Sequence, residues 1–275
     1  MTESFREDDR KMTHKDLISF SSWFSDFCRS FYSAHEEDQR NILLKEEHTR
    51  NVRGNMRRIC GELSLSSEGI LLAETIALFH DTGRFPQYAE YKTFRDALSV
   101  NHAALGARIL AEKGVLANLS EKEQGLVLQA VKFHNAYTLP VIADKDALLF
   151  LKLIRDADKL DIWRVFIEYY ETPPEERASA VGLGLPEGAG YSEEVLSSLY
   201  EKRVVSLSSL KTLDDFKLLQ LSWIYDLNFK ASLKLLLAGN YIDRIVRTLP
   251  QSDEIRRVPP FLREYIHQRL QEDGP

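Results

Sequence analysis

Six side chains in this sequence carry groups that can work together on one task. The chain has seven histidines. Four of them, His48, His80, His102 and His134, fall at the ends, or on the apolar stripes, of segments whose spacing predicts separate helices. Asp81 follows His80 directly, and Asp158 lies on the apolar face of a long predicted helix. A buried ionised carboxylate costs several kcal/mol unless something positive compensates it. A buried imidazole also needs partners. Several of both on inward faces are hard to explain unless they share a cation. Helix bundles supply the geometry, because side chains from different helices converge in the core. Adjacent His80 and Asp81 can point at one site because the backbone leaves helical geometry at a helix end.

The elements that must position these groups read as helices throughout. Strand-like alternation is missing, and so are Asn-Gly or Asp-Gly hairpin turns. Leu17, Ile18, Phe20, Trp23, Phe24, Phe27 and Phe31 recur at three- and four-residue steps and predict a helix near 14–34, its aromatics serving to pack or dock. A second helix runs from about Asp38 to Leu63 on the stripe Leu44, His48, Val52, Met56, Ile59, Leu63, where histidine interrupts an apolar face. Gly69 to Phe79 is apolar almost all round and predicts a central buried helix. It ends in His80-Asp81-Thr82-Gly83, with Gly83 suited to a helix C-terminus. Phe85 to Ser99 lacks periodicity and reads as a loop.

Asn101 to Lys113 is a short helix closed by Gly114. Ser120-Glu121-Lys122-Glu123 has the pattern of a capping box. It opens a helix bearing Leu126, Val127, Ala130 and Val131, with His134 on the same stripe. Asp144 caps a long helix reaching about Tyr170, on the stripe Leu151, Ile154, Asp158, Ile162, Val165. Residues 171–192 are rich in Pro, Gly and small side chains and form the expected boundary. Two or three further helices are expected over Glu193 to about Pro250, and a last one over Pro259 to Leu270. The expected organisation is an N-terminal helix (1–37) packing on a catalytic core (38–170), a loop (171–192) and a helical C-terminal extension (193–275).

The ordered residues His48, His80-Asp81 in FHDTGRF, His102 in SVNHAALG, His134 in VKFHNAY and Asp158 in RDADKLD resemble the HD superfamily of metal-dependent phosphohydrolases. The resemblance covers about residues 40–170, and the order H…HD…H…H…D is similar to its two-metal members. A GYP tripeptide, carried by the cyclic-di-GMP phosphodiesterase group, is missing. The resemblance implies an all-α HD-domain helical bundle. It implies that His48, His80, Asp81 and Asp158 bind one divalent ion, with Asp81 bridging to a second held by His102 and His134. Mn or Fe suits this donor set, with Zn, Ni or Mg as further options and Ca disfavoured. Two ions roughly 3.5–4 Å apart would acidify a shared water and brace an in-line phosphoryl displacement, so the implied nucleophile is a metal-bound hydroxide. Arg84 and Lys159 are the candidate cations for substrate phosphate. Lys92, Arg95 and Asp96 lie in a segment able to form a lid or recognition edge.

Blander readings stand beside these. His102, in a first helical turn, suits a surface histidine, and without His102 and His134 the site is mononuclear. Asp156 and Asp161 share the helix of Asp158 and compete with it as ligand or salt-bridge residue. Arg84 also suits a salt-bridged loop position, and Arg50, Arg53 and Arg57 fall mainly on an outer helix face. His14, His35 and His267 read as solvated, and Cys28 and Cys60 as inert buried thiols. A mononuclear nucleotidase and a nucleotide-sensing protein without turnover are the alternatives to the two-metal enzyme. A di-iron oxygenase is a more remote one.

Composition narrows the partners. Lys and Arg number 36 against 42 Asp and Glu, a net charge of −6, which argues against nucleic acid as the main partner. Two cysteines cannot make a disulfide framework, and a reducing compartment follows. The N-terminus MTESFREDDRKMTHKD shows no secretory leader, and the apolar run Ile70 to Phe79 is far short of the ~20 residues needed to cross a bilayer. The expectation is a cytoplasmic protein with a small nucleotide-like phosphate substrate and no membrane partner, a homodimer being an allowed assembly.

Overall fold

The computed structural model describes residues 11–181, 184–188 and 190–272. Within these ranges the protein is all-α, with no strand. The chain divides into two compact units. The first holds the described residues up to Asp158 together with Ala178–Ala180; the second holds Lys159–Arg177 and the described residues from Val181 onward. The division falls inside one helix, α7 (Lys145–Glu171), whereas composition placed the boundary at 171–192. Ala147, Leu151 and Ile154 are buried in the first part of α7, and Leu160, Trp163 and Ile167 in the second. Apolar burial along its whole length lets one helix serve two cores.

The hub of the first unit is α3 (Ser67–Phe79), whose residues Leu71 to Phe79 are all buried. Ser66 caps it, accepting a hydrogen bond from the Gly69 amide. Apolar side chains around most of its circumference draw it to the centre. It packs against α1 (His14–Arg29), α2 (Glu36–Glu62) and α6 (Glu121–Phe133). Phe20, Trp23 and Phe24 of α1 set their rings 5.6, 5.7 and 6.4 Å from that of Phe79, so the aromatics of this helix are packing groups. Ser120 and Glu123 form the expected capping box of α6. Asn101 caps α5 (His102–Glu112) through the Ala104 amide, and Gly114 beyond it has φ +59°.

Two expectations in this unit are corrected. The segment read as a loop holds a helix, α4 (Arg84–Tyr91), which buries Phe85, Gln87 and Tyr88. Its buried groups include a polar one, Gln87, so hydrophobic spacing alone did not disclose it. Gly83 is not a left-handed helix terminator: its φ is −69° and it precedes α4. Close approach to α5 is what requires glycine there.

The second unit contains α8 (Glu193–Tyr200), α9 (Leu213–Ser222), α10 (Lys230–Ala238), α11 (Tyr241–Arg247) and α12 (Asp253–Gln271). Four helices therefore precede the last, where two or three were expected. Asn240, at φ 51°, separates α10 from α11, a left-handed break that asparagine tolerates and that the apolar spacing does not show. The last helix also begins earlier than expected and carries Pro259 and Pro260 in its interior. Each proline forfeits one backbone hydrogen bond. The buried stripe Ile255, Val258, Leu262, Ile266 continues on both sides of them and keeps the helix intact. Trp163 of α7 donates to the Gln220 carbonyl at 3.0 Å, and Phe166 meets Phe216 at 4.7 Å.

Candidate metal centre

All six expected ligands lie in the first unit, and their polar atoms converge. His48 comes from the middle of α2 and His102 from the first position of α5. His80 and His134 are the C-terminal caps of α3 and α6, and Asp81 follows His80. Asp158 comes from α7. The four imidazoles and Asp81 are buried, and the Asp158 side chain is 14 % exposed.

Asp81 divides the cluster in two. Its Oδ2 lies 3.5 Å from His48 Nε2 and 3.7 Å from His80 Nε2. Its Oδ1 lies 3.3 Å from His102 Nε2 and 3.8 Å from His134 Nε2. Asp158 Oδ1 joins the first group, 3.0 Å from His48 Nε2 and 3.7 Å from His80 Nε2. Among the described residues three overlapping sets could each hold an ion: His48, His80 and Asp81; His80, His134 and Asp158; and Asp81, His102 and His134. Asp156 and Asp161 belong to none of them. Asp161 instead pairs with Arg164 at 2.6 Å, so of the three competing aspartates the structure sets Asp158 at the cluster.

The hydrogen bonds on the far side of the rings decide what the inner nitrogens present. At a helix C-terminus the last carbonyls have no amide partner. His80 Nδ1 meets the Ala77 carbonyl at 2.8 Å, and His134 Nδ1 meets the Val131 carbonyl at 2.7 Å. Each ring thus satisfies a carbonyl three residues earlier in its own helix. A carbonyl only accepts, so Nδ1 carries the proton and Nε2 of the neutral ring is a bare lone pair. His102 reaches the same state through Asp96, whose two carboxylate oxygens lie 2.8 Å from its Nδ1. The bare nitrogens of His102 and His134 then face each other at 3.1 Å, and that of His80 stands 3.3 Å from His48 Nε2. Lone pairs at that separation repel unless a cation lies between them. Donor type, tautomer and convergence together fit divalent metal ions.

The electrostatics agree. Burial alone would raise the Asp81 carboxyl, but Lys45, His80, His134 and Arg84 outweigh it and hold it well below the ordinary carboxylate range. Asp158 is raised by burial and lowered further by His48 and His80, with the same net direction. Burial, reinforced by the Arg84 charge, pushes the His102 imidazole down to about 3. Burial raises Asp96, and His102, Arg84 and Gln87 bring it down to about 2. Carboxylates ionised and an imidazole neutral are the protonation states that metal ligation needs.

The two expected phosphate-binding cations are placed differently. Arg84 reaches the cluster, its Nε 3.5 Å from Asp81 Oδ1. Its Nη1, however, donates to Gln87 Oε1 at 2.9 Å, to the Phe94 carbonyl and to Asp96 Oδ1 at 3.0 Å. Lys159 sits in the second unit and pairs with Asp226 at 2.7 Å. Arg53 and Arg57 hold Glu74, at 3.3 and 2.6 Å. His14, His35 and His267 are exposed.

One cation at the cluster lies outside the expected set. Lys45 Nζ is 2.9 Å from Asp81 Oδ2, with its side chain 15 % exposed, and stands 5.0 Å from the centre of the Phe94 ring. Lys45 precedes His48 by three residues on α2, a spacing that puts both on one helix face. That spacing is visible in the sequence. The role of Asp96 is not, because its partners come from α4, α5 and the turn after α6.

The chain matches the HD domain family over residues 46–163, a span that includes all six clustered residues. No curated protein and no solved structure matches it significantly. HD domains are helical and bind divalent metals, and the family is typically one of metal-dependent phosphohydrolases. Over residues 46–163, with His80-Asp81 at the centre of the cluster, the chain is consistent with the HD superfamily of metal-dependent phosphohydrolases.

Proposed function

We propose that the protein is a metal-dependent phosphohydrolase that cleaves a phosphate ester or anhydride of a small, nucleotide-like substrate at a two-metal centre. One observation carries this reading: the two oxygens of Asp81 face separate pairs of imidazole nitrogens. His48, His80, Asp158 and Asp81 Oδ2 would hold one ion, and His102, His134 and Asp81 Oδ1 the other. Divalent ions bound there supply Lewis acidity toward a phosphoryl oxygen and lower the pKa of water.

The chain's own groups do the rest. His80 and His134 are held in one orientation because the Ala77 and Val131 carbonyls accept their Nδ1 protons. Lys45 and Arg84 both bring positive charge to Asp81 and favour an anionic phosphoryl group beside it. Lys45 takes the place expected of Lys159. Burial of the imidazoles limits water around the reacting group.

The test is direct. Protein loaded separately with Mn²⁺, Fe²⁺, Zn²⁺, Ni²⁺ or Mg²⁺ is assayed for phosphate release from nucleotides, dinucleotides and sugar phosphates. Turnover is expected, highest on the nucleotide members, and Asp81→Ala should abolish it together with metal content by elemental analysis. Full turnover by metal-free Asp81→Ala protein refutes the reading.

A further inference from the structure

Asp96 ligates nothing in the cluster, yet four side chains converge on its carboxylate. His102 Nδ1 lies 2.8 Å from each oxygen. Arg84 Nη1 and Gln87 Nε2 donate to Oδ1 at 3.0 and 2.9 Å, and Asn135 Nδ2 donates to Oδ2 at 2.9 Å. These donors belong to α5, to α4 and to the turn that follows His134. Gln87 also ties the same segment down through Ser99 Oγ at 2.8 Å and the Val100 carbonyl at 3.0 Å.

The imidazoles differ in what holds them. His80 and His134 end their helices and take a proton acceptor from the turn behind them. His102 begins its helix and has no helical turn behind it to offer a carbonyl. A carboxylate from outside the helix has to supply the acceptor, and Asp96 does so. Through Asn135 the same carboxylate also grips the residue next to His134. Asp96 therefore touches His102 directly and the His134 turn indirectly, which are the two imidazoles on the Asp81 Oδ1 side. On the Oδ2 side, His48 and His80 meet each other, Asp81 and Asp158, and His80 also meets the Ala77 carbonyl.

We infer that Asp96 is a positioning residue that sets the affinity of the ion held by His102 and His134 and leaves the ion held by His48, His80 and Asp158 unchanged; this rests on the two-metal reading above. A carboxylate partner fixes the ring's tautomer and orientation and raises its basicity, and losing such a partner typically costs about 10–100-fold in metal affinity.

The experiment compares wild-type protein, Asp96→Ala and Asp96→Asn. Mn²⁺ binding is followed by isothermal titration calorimetry and elemental analysis. Electron paramagnetic resonance of the loaded protein reports whether the ions are coupled as a pair. Wild type is expected to take two ions and show a coupled signal. Asp96→Ala should keep one ion at wild-type affinity, lose the other by tenfold or more, and show only the signal of isolated Mn²⁺. Asp96→Asn retains an acceptor for His102 Nδ1 and should fall between the two. Two ions bound at wild-type affinity in Asp96→Ala would overturn the assignment. Equal weakening of both ions together with a lowered melting temperature in both variants would also overturn it, since Asp96 would then only support the fold. A wild-type protein that takes a single ion refutes the two-metal reading itself, and the role of Asp96 with it.

Discussion

Gly83 approaches α5 so closely that a β-carbon on it would stand 2.1 Å from the carbonyl oxygen of His102 and 2.8 Å from the Gly106 amide nitrogen. Both neighbours are backbone, so neither can swing aside. The missing side chain lets the turn after Asp81 lie against the first turn of α5, and this brings Asp81 within reach of His102. Gly83→Ala should destabilise the fold by about 1–3 kcal/mol and weaken metal binding on the His102 side. Gly54, mid-helix in α2, has nothing within 4 Å of its β-position. Gly54→Ala should therefore stabilise by about 0.5–1 kcal/mol. Urea unfolding of the two variants, with metal content measured alongside, decides the matter; equal effects would remove the steric argument.

Lys45 compensates Asp81 in the absence of metal, since its ammonium is 2.9 Å from Oδ2 and partly buried. Lys45→Met should lower the stability of metal-free protein by about 1–3 kcal/mol, because a buried carboxylate loses a charged partner. Metal loading should shrink that deficit, as the ion then provides the charge. Differential scanning calorimetry with and without Mn²⁺ measures both quantities. The same deficit in both states would show that Lys45 supports packing alone.

Glu74 gives a pH-dependent stability remote from the ligands. It is 5 % exposed and receives Arg57 Nε and Nη2 at 2.9 and 2.6 Å. Burial raises its carboxyl, but Arg57 and Arg53 outweigh that and the net shift is downward. The folded pKa lies below the unfolded value of about 4.3. Its stabilisation is therefore complete above that value and is lost as pH falls through the folded pKa. Glu74→Gln should cost about 1–2 kcal/mol at pH 7, and the gap to wild type should close below about pH 4. Urea midpoints across pH 3–8 in ~1-unit steps test the sign, and a gap that widens on acidification would contradict it.

The thiols should be silent in the native protein. Cys28 and Cys60 are each at most 1 % exposed. Burial pushes the Cys28 thiol up strongly, helped by Glu46, and pushes Cys60 up to about 12, helped by Glu74. The thiolate is the reactive form. Ellman's reagent should therefore label neither cysteine in buffer at pH 8 and both in guanidinium; rapid native labelling would place a cysteine in an open segment.

Much of the helical plan was legible because the signals are local. Ser120 and Glu123 announce α6 within four residues, and the segment before Phe79, apolar except for Glu74 and Thr75, points to a central position for α3. The candidate set was legible for two reasons: imidazoles and carboxylates on faces that burial claims call for a shared positive charge, and their order resembles the HD superfamily. What stayed hidden depended on distant partners. Helix α4 packs partly through Gln87, whose hydrogen bonds run to Asp96, Ser99 and Val100. Asn240 ends α10 by a backbone conformation rather than by hydrophobic spacing.

The amino-acid order determined an all-α chain and the identity of the six converging groups, while the acceptors that turn His80 and His134, each three residues back, appear in the folded helix ends. Only the tertiary structure decided how those groups divide. Asp81 can offer one oxygen to each pair of imidazoles because Gly83 lets α5 approach, and Asp96 can orient His102 because Arg84 and Gln87 of α4 hold its carboxylate there. Local spacing fixes which face of a helix a residue occupies. The distance between faces of separate helices depends on side-chain volume and on hydrogen bonds between segments far apart in the chain, and these exist only once the chain has folded.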